Sequence, residues 1–191
     1  HTGLFPEQAV NWNDLMALIQ NSGRQIKVLN LFAYTGGASV ICSKAGALVT
    51  HVDASKGMVE RAKENALENN ITNIRFIIDD CQKFIEREIR RGNFYDAIIM
   101  DPPSYGRGTN GEMWKLEDNL FDFVQLTKKV LSNKPLFVLI SSYTTGLGAS
   151  VLANILSLVF GEGDIDADEI GLPTDEGIVL PCGTRGIKIW K

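Results

Sequence analysis

Five stretches of this chain share one pattern, which restricts the fold more than any other feature. Each is a short, unbroken apolar run, and four of them stop on a glycine turn or an acid. IKVLNLF (residues 26–32) runs into Tyr34-Thr35-Gly36-Gly37, and LVTHV (48–52) into Asp53. IRFII (74–78) meets Asp79-Asp80, FYDAIIM (94–100, with its acid) meets Asp101-Pro102-Pro103, and the fifth run is PLFVLISS (135–142). Continuous apolar strands are those buried on both faces, which requires a parallel sheet with helices on either side. The stretches between them are helical in character: from the glycine turn to about Ala45, then 56–69, 81–91, 116–131 and 149–160. A Gly-rich loop is expected at 106–111 and an acidic, linker-like segment at 162–169. Residues 170–190 read as a closing antiparallel pair joined through Leu180-Pro181-Cys182-Gly183. The expectation is one doubly wound α/β domain over residues 1–191. Residues 1–25 carry an amphipathic stretch (13–20, with Leu15, Leu18 and Ile19 on one face) and pack on it.

Composition excludes several classes. An apolar fraction of 45% with a net charge of −4 is too apolar and too weakly charged for a disordered chain. No apolar run approaches the ~20 residues of a membrane helix. The first residues lack the pattern of a secretory leader, so a cytoplasmic location is expected. Cys42, Cys81 and Cys182 are far apart, and only His1 and His51 could join them, so no metal site is expected. Nineteen basic against 23 acidic residues give no overall surplus for gripping nucleic acid.

In a doubly wound sheet, ligands bind beyond the carboxyl ends of the strands, where strand order reverses. The glycine turn brings backbone close to a ligand and opens a helix whose N-terminal amides suit an anion. Asp53 lies at an offset suited to ribose hydroxyls. Each signal has a plain structural alternative: a turn for the glycines, a helix cap for Asp53, a helix start for Asp79-Asp80. Asp101-Pro102-Pro103 is the sharpest feature, since two prolines fix φ and remove two donors, leaving a stiff loop with outward carbonyls. Tyr105 is placed to stack on a flat substrate.

NLFAYTGGAS, HVDAS, IDDC and MDPPSYGRG resemble motifs I to IV of the class I S-adenosylmethionine-dependent methyltransferases. Phe-x-Tyr-Thr-Gly-Gly, with GLFPEQAVNW ahead of it, resembles the branch of bacterial 23S ribosomal RNA large-subunit enzymes. That resemblance implies a Rossmann-like, mainly parallel seven-stranded sheet with an antiparallel C-terminal strand. It implies S-adenosyl-L-methionine as cofactor. Phe32, Tyr34, Thr35, Gly36, Gly37 and Ser39 would cradle its methionine part. Asp53 would hold the ribose, with Ser55 by the adenine, and Asp80 and Cys81 would contact the adenine. Asp101, Pro102, Pro103 and Tyr105 would shape the catalytic edge. Asn30 departs from the acid common at its position. Ile140-Ser141-Ser142-Tyr143 lacks the cysteine of the cytosine-carbon enzymes, which points to methylation at nitrogen. RNA is the partner the branch implies, with a further RNA-binding region expected outside this sequence. A small molecule or protein side chain is the alternative acceptor, and a non-methylating nucleotide-binding Rossmann domain a third reading. Lys83, Arg87, Arg90 and Arg91 read as a solvated helix face. Arg107, Arg185 and Lys188 are better placed for a phosphate, and Trp114 either clamps a substrate or packs under its loop.

Overall fold

The computed structural model describes residues 3–107 and 113–190. Its elements in chain order are α1 (Ala9–Asn21), β1 (Lys27–Leu31), α2 (Gly37–Lys44), β2 (Leu48–Asp53), α3 (Lys56–Glu68), β3 (Ile74–Ile78) and α4 (Cys81–Arg91). There follow β4 (Ala97–Met100), β5 (Tyr105–Arg107), β6 (Met113–Lys115), α5 (Leu116–Lys128), β7 (Phe137–Ser142), α6 (Ala149–Phe160), β8 (Ile165–Pro173) and β9 (Val179–Ile189). Seven strands form one sheet in the order β3-β2-β1-β4-β7-β9-β8. The pairs β3–β2, β2–β1, β1–β4 and β4–β7 are parallel, and β9 runs antiparallel to both its neighbours. The sheet is thus mainly parallel with one reversed strand, the C-terminal one, as expected.

Apolar residues divide between the two faces. Leu29, Leu31, Ile98, Met100, Val138 and Ile140 pack with Phe84, Leu120, Val124, Leu152 and Leu156 of α4, α5 and α6. Val28, Val49, Ala97, Ile99, Phe137 and Leu139 pack with Leu15, Ile19, Val40 and Ala66 of α1, α2 and α3. The amphipathic stretch near the N-terminus is therefore the middle of a longer helix that covers the sheet. A buried network fixes the β4 side: Glu88, with no exposure, accepts from the Tyr95 hydroxyl (2.7 Å), Asn93 (3.0 Å) and Arg91 (3.0 Å). Burial alone would raise the Glu88 carboxyl, but those donors hold it below the usual carboxylate range.

The structure corrects four boundaries. The acidic segment at 162–169 is not a linker, because Ile165, Asp166, Ala167 and Asp168 alternate in exposure as the start of edge strand β8. Charge masked the period-two pattern there, and acids suit an unpaired edge. The closing turn is at Thr174–Ile178, where Gly177 (φ 79°) sits and the Thr174 amide donates to Ile178 O (2.8 Å). Leu180 to Gly183 lie inside β9, and Pro181 is accommodated beside a register shift at Ile170/Gly171. β4 starts at Ala97, with Tyr95 making a lone bridge to Leu131 after α5 has ended at Lys128. The expected Gly106–Gly111 loop begins in the small β5–β6 hairpin, whose tip (108–112) lies outside the described residues, as does the Arg107 side chain.

Candidate active site

Because β1 is followed in space by β2 on one side and β4 on the other, the strand order reverses between β1 and β4. A cleft of about 670 Å³ opens there, beyond the strand carboxyl ends. Its lining takes one contribution from each crossing: Phe32 and Tyr34 after β1, Asp53 and Ser55 after β2, Asp80 and Cys81 after β3, Asp101 and Pro103 after β4. Eight of the residues expected from sequence thus meet in one cavity.

The loop after β1 is bent hard. Phe32 (φ 54°) and Tyr34 (φ 50°) both occupy the left-handed region, which costs about 1–3 kcal/mol each and persists only where the surroundings enforce it. Neighbouring strands do the enforcing. The Phe32 amide donates to Cys81 Sγ (3.3 Å), Ala33 to Val52 O (3.1 Å) and Tyr34 to Asp53 Oδ2 (2.9 Å). Two glycines then open α2. Gly36 has φ 86°, and a Cβ there would stand 3.0 Å from the Ala62 Cβ; one on Gly37 would meet the Trp12 ring at 2.9 Å. The glycine pair is thus required by the close packing of α1 and α3, and the Gly36 amide donates to Ala33 O (3.0 Å).

Asp53 does not cap α3. Ser55 does so, its Oγ accepting from Met58 N (3.4 Å), while Asp53 Oδ1 accepts from Ser55 N (2.8 Å). The carboxylate is oriented by two amides and faces the cleft. Asp80 does cap α4, accepting from Lys83 N (2.9 Å), and lines the cleft as well. Asp79 turns away to pair with Arg87. Asp101 is the most perturbed acid of the site: burial first, and the Glu7 charge second, push its carboxyl up to about 6. Several carboxylates around one cleft suit a cationic, hydroxyl-bearing ligand.

Other expected residues lie elsewhere. Ser39 is fully buried, its hydroxyl bonded to Asn30 Nδ2 (2.9 Å) and His51 Nδ1 (3.0 Å), so Asn30 serves the core. Thr35, Gly36 and Gly37 line a smaller chamber of about 60 Å³ that shares Phe32, Tyr34 and Asp101 with the cleft and adds Gln8, Asn11 and Ser141. Pro102 is buried and Tyr105 stands 62% exposed on the hairpin; neither lines the cavity. Trp114 packs under its loop, donating to Pro103 O (2.6 Å) and stacking against Phe32 and Phe123. Arg185 and Lys188, expected to meet a phosphate, are engaged within the fold. Arg185 bonds Asp14, Asp166 and Asn11, and Lys188 is buried against Gly161 O and Glu162 O. Their positions at a closing hairpin suggested exposure; the tertiary pairing of β9 with α1 and α6 removes it. Trp114 also lines the cleft, as do Phe5, Phe123 and Tyr143, which had no assigned role there. Tyr143 was findable, since it follows a strand end like the others.

Two of the three thiols, Cys42 and Cys81, are buried. Burial pushes Cys42 up to about 12 and Cys81 well above the usual thiol range. Ser141 and Ser142 are buried, Ser141 bonded to Asn11 (3.2 Å) and Ser142 to Thr144 N (3.1 Å). Among the described residues, no helix is long and apolar enough to cross a membrane.

A doubly wound sheet with acids and a glycine turn at its switch point defines a nucleotide-cofactor protein, and sequence comparison makes the class specific. The profile of the S-adenosylmethionine-dependent methyltransferase family matches residues 1–122, and this chain belongs to that family. It is 37% identical to a SAM-dependent methyltransferase from Agrobacterium tumefaciens, with a TM-score of 0.92 over 99% of this chain and 64% of that one. It superposes on SMU.776, crystallised with SAH, at a TM-score of 0.79 and 25% identity over 98% of this chain and 50% of that one. Ribosomal RNA large subunit methyltransferase K/L of Pseudoalteromonas translucida is 33% identical over 135 residues, 69% of this chain. Ribosomal RNA large subunit methyltransferase I of Tolumonas auensis is 36% identical over 107 residues, 54% of this chain. The chain spans only 18% and 26% of the length of those two relatives.

Proposed function

We propose that this chain is the catalytic part of an enzyme that methylates a base of RNA, at a ring or exocyclic nitrogen. The observation that carries the reading is the cleft itself, whose polar groups fit S-adenosylmethionine group by group. Asp53 keeps lone pairs for a vicinal diol after accepting two amides. Asp80 and the first amides of α4, at Cys81 and Gln82, suit an adenine edge. The start of α2 at Gly37 suits the carboxylate of the methionine part, the Tyr34 and Gly36 amides being held by Asp53 and Ala33 O, and Asp101 suits its ammonium. S-adenosylmethionine supplies a methyl group already activated by its sulfonium charge.

The chain's own work is to orient an acceptor beside that group and keep water out. An acceptor nitrogen brings its own lone pair, so no protein nucleophile is needed. A cytosine-carbon route needs a thiolate, and the buried Cys42 and Cys81 with hydrogen-bonded Ser141 and Ser142 do not favour one. RNA is favoured by the relatives, which are named as ribosomal RNA large subunit methyltransferases. The engaged Arg185 and Lys188 and the net charge of −4 favour the second reading, a small molecule or a protein side chain.

Transfer of tritiated methyl groups decides between them. Purified chain is offered unmodified large-subunit ribosomal RNA, total protein and a small-molecule extract. Label in RNA that falls with rising salt is expected. Label confined to protein or small molecules would overturn the RNA reading.

A further inference from the structure

We propose that Tyr143 forms a wall of the methyl-acceptor slot and selects a flat heteroaromatic ring, a nucleobase turned out of its strand. The proposal rests on the RNA-base reading above and deepens it.

Sequence placed the stacking ring at Tyr105. That residue sits on the β5–β6 hairpin and does not line the cleft. Tyr143 does, and Asp101 and Pro103 line the same cavity. Its side chain is 60% exposed, and it has no aromatic or hydrogen-bond partner among the described residues. Every other aromatic group of the cleft is already engaged. Trp114 bonds Pro103 O and packs against Phe32 and Phe123, which pack against each other; Phe5 lies on Tyr34 at 5.4 Å.

The backbone that carries Tyr143 is held from three sides. The Thr144 amide donates to Ser142 Oγ (3.1 Å). The Thr144 and Ser104 hydroxyls bond at 2.7 Å, tying the segment after β7 to the Pro103 loop. Gly183 of β9 backs directly onto it: a Cβ there would lie 2.5 Å from Ser142 O and 3.3 Å from Tyr143 Cα. A large, solvent-facing ring on a fixed backbone loses little conformational freedom when it stacks, because only two side-chain torsions remain. It accepts any base by its π face. An aliphatic acceptor would gain no stacking from such a wall.

Saturation-transfer NMR tests this without turnover. The probes are adenosine, guanosine, cytidine and uridine at millimolar concentration, with the chain saturated in S-adenosylhomocysteine. Base protons of at least one nucleoside should saturate on the wild-type chain. Tyr143→Ala and Tyr143→Leu should reduce that signal at least about fivefold. Tyr143→Phe and Tyr105→Ala should keep it, and S-adenosylhomocysteine affinity should stay within about twofold throughout. The leucine variant guards against an unfolded alanine one. An undiminished signal in both non-aromatic variants, or its loss in Tyr143→Phe, overturns the stacking role and leaves the RNA-base reading standing. Failure of all four nucleosides on wild-type chain that binds S-adenosylhomocysteine overturns both.

Discussion

The raised carboxyl of Asp101 makes a quantitative prediction about cofactor affinity. Burial and the neighbouring Glu7 push it up to about 6 in the free protein. If its charged form holds the ammonium of the methionine part, affinity follows the charged fraction. With a midpoint near 6 that fraction is about 0.97 at pH 7.5 and about 0.09 at pH 5, so the Kd of S-adenosylhomocysteine should weaken about tenfold. Asp101→Asn keeps the shape and removes the titration, so its binding should be weak and flat with pH. Glu7→Gln removes the repulsion, lowers the midpoint and moves the profile toward acid. Calorimetric titration from pH 5 to pH 8 reads all three. A wild-type Kd that does not change over this range, or a pH dependence that survives in Asp101→Asn, would refute the assignment. The same shift has a stability consequence of opposite sign. A carboxyl raised on folding binds its proton more tightly in the folded state, so its contribution is fully present below about pH 4 and lost as pH rises through 6. Asp101→Asn should therefore stabilise the chain at pH 8 by about 1–2 kcal/mol, discounted for partial exposure, with the gain vanishing at pH 4.

Four further outcomes are expected. Glu88→Ala strands the buried Tyr95 hydroxyl and should cost about 2–4 kcal/mol in urea unfolding; a loss under 0.5 kcal/mol would contradict the network's role. Gly37→Ala forces a methyl group against Trp12 and should cost about 1–3 kcal/mol while weakening S-adenosylhomocysteine binding, whereas Gly57→Ala, in open space, should do neither. Iodoacetamide on the folded chain should modify Cys182 alone, since Cys42 and Cys81 are buried thiols, and methyl transfer should survive; inactivation matched to labelling of Cys81 would revive a covalent mechanism. Arg185→Ala breaks its ties to Asp14 and Asp166 and should lower Tm without changing the salt slope of RNA binding; a shallower slope would return Arg185 to the phosphate contacts.

Most of the site was legible because a doubly wound sheet converts sequence position into place. Residues that follow parallel strands fall at the ligand edge, and Asp53, Asp80, Asp101 and Pro103 lie there, although Asp79 turns away to Arg87. Helix starts at Lys56, Cys81 and Ala149 were equally readable, although the cap of α3 is Ser55 and not Asp53. What escaped depended on contacts distant in sequence. Ser39 looked like a ligand contact because nothing local reveals its bonds to Asn30 and His51. Arg185 and Lys188 looked free because their partners lie on α1, β8 and the loop after α6. β8 was hidden by its acids, which an edge strand tolerates and a central strand would not. Tyr105 and Tyr143 could not be ranked as stacking residues without the hairpin that lifts one away from the cleft.

The most direct test of the cleft as a cofactor site is calorimetric titration of the chain with S-adenosylhomocysteine, with NAD as control and Asp53→Ala as the matched variant. Micromolar binding at one site per chain is expected, with no heat from NAD. The variant should weaken affinity at least about a hundredfold, since the ribose bonds and the order of the Tyr34 and Ser55 amides go together. Equal affinity in wild type and Asp53→Ala, or binding of NAD in preference, would contradict the assignment of this cleft.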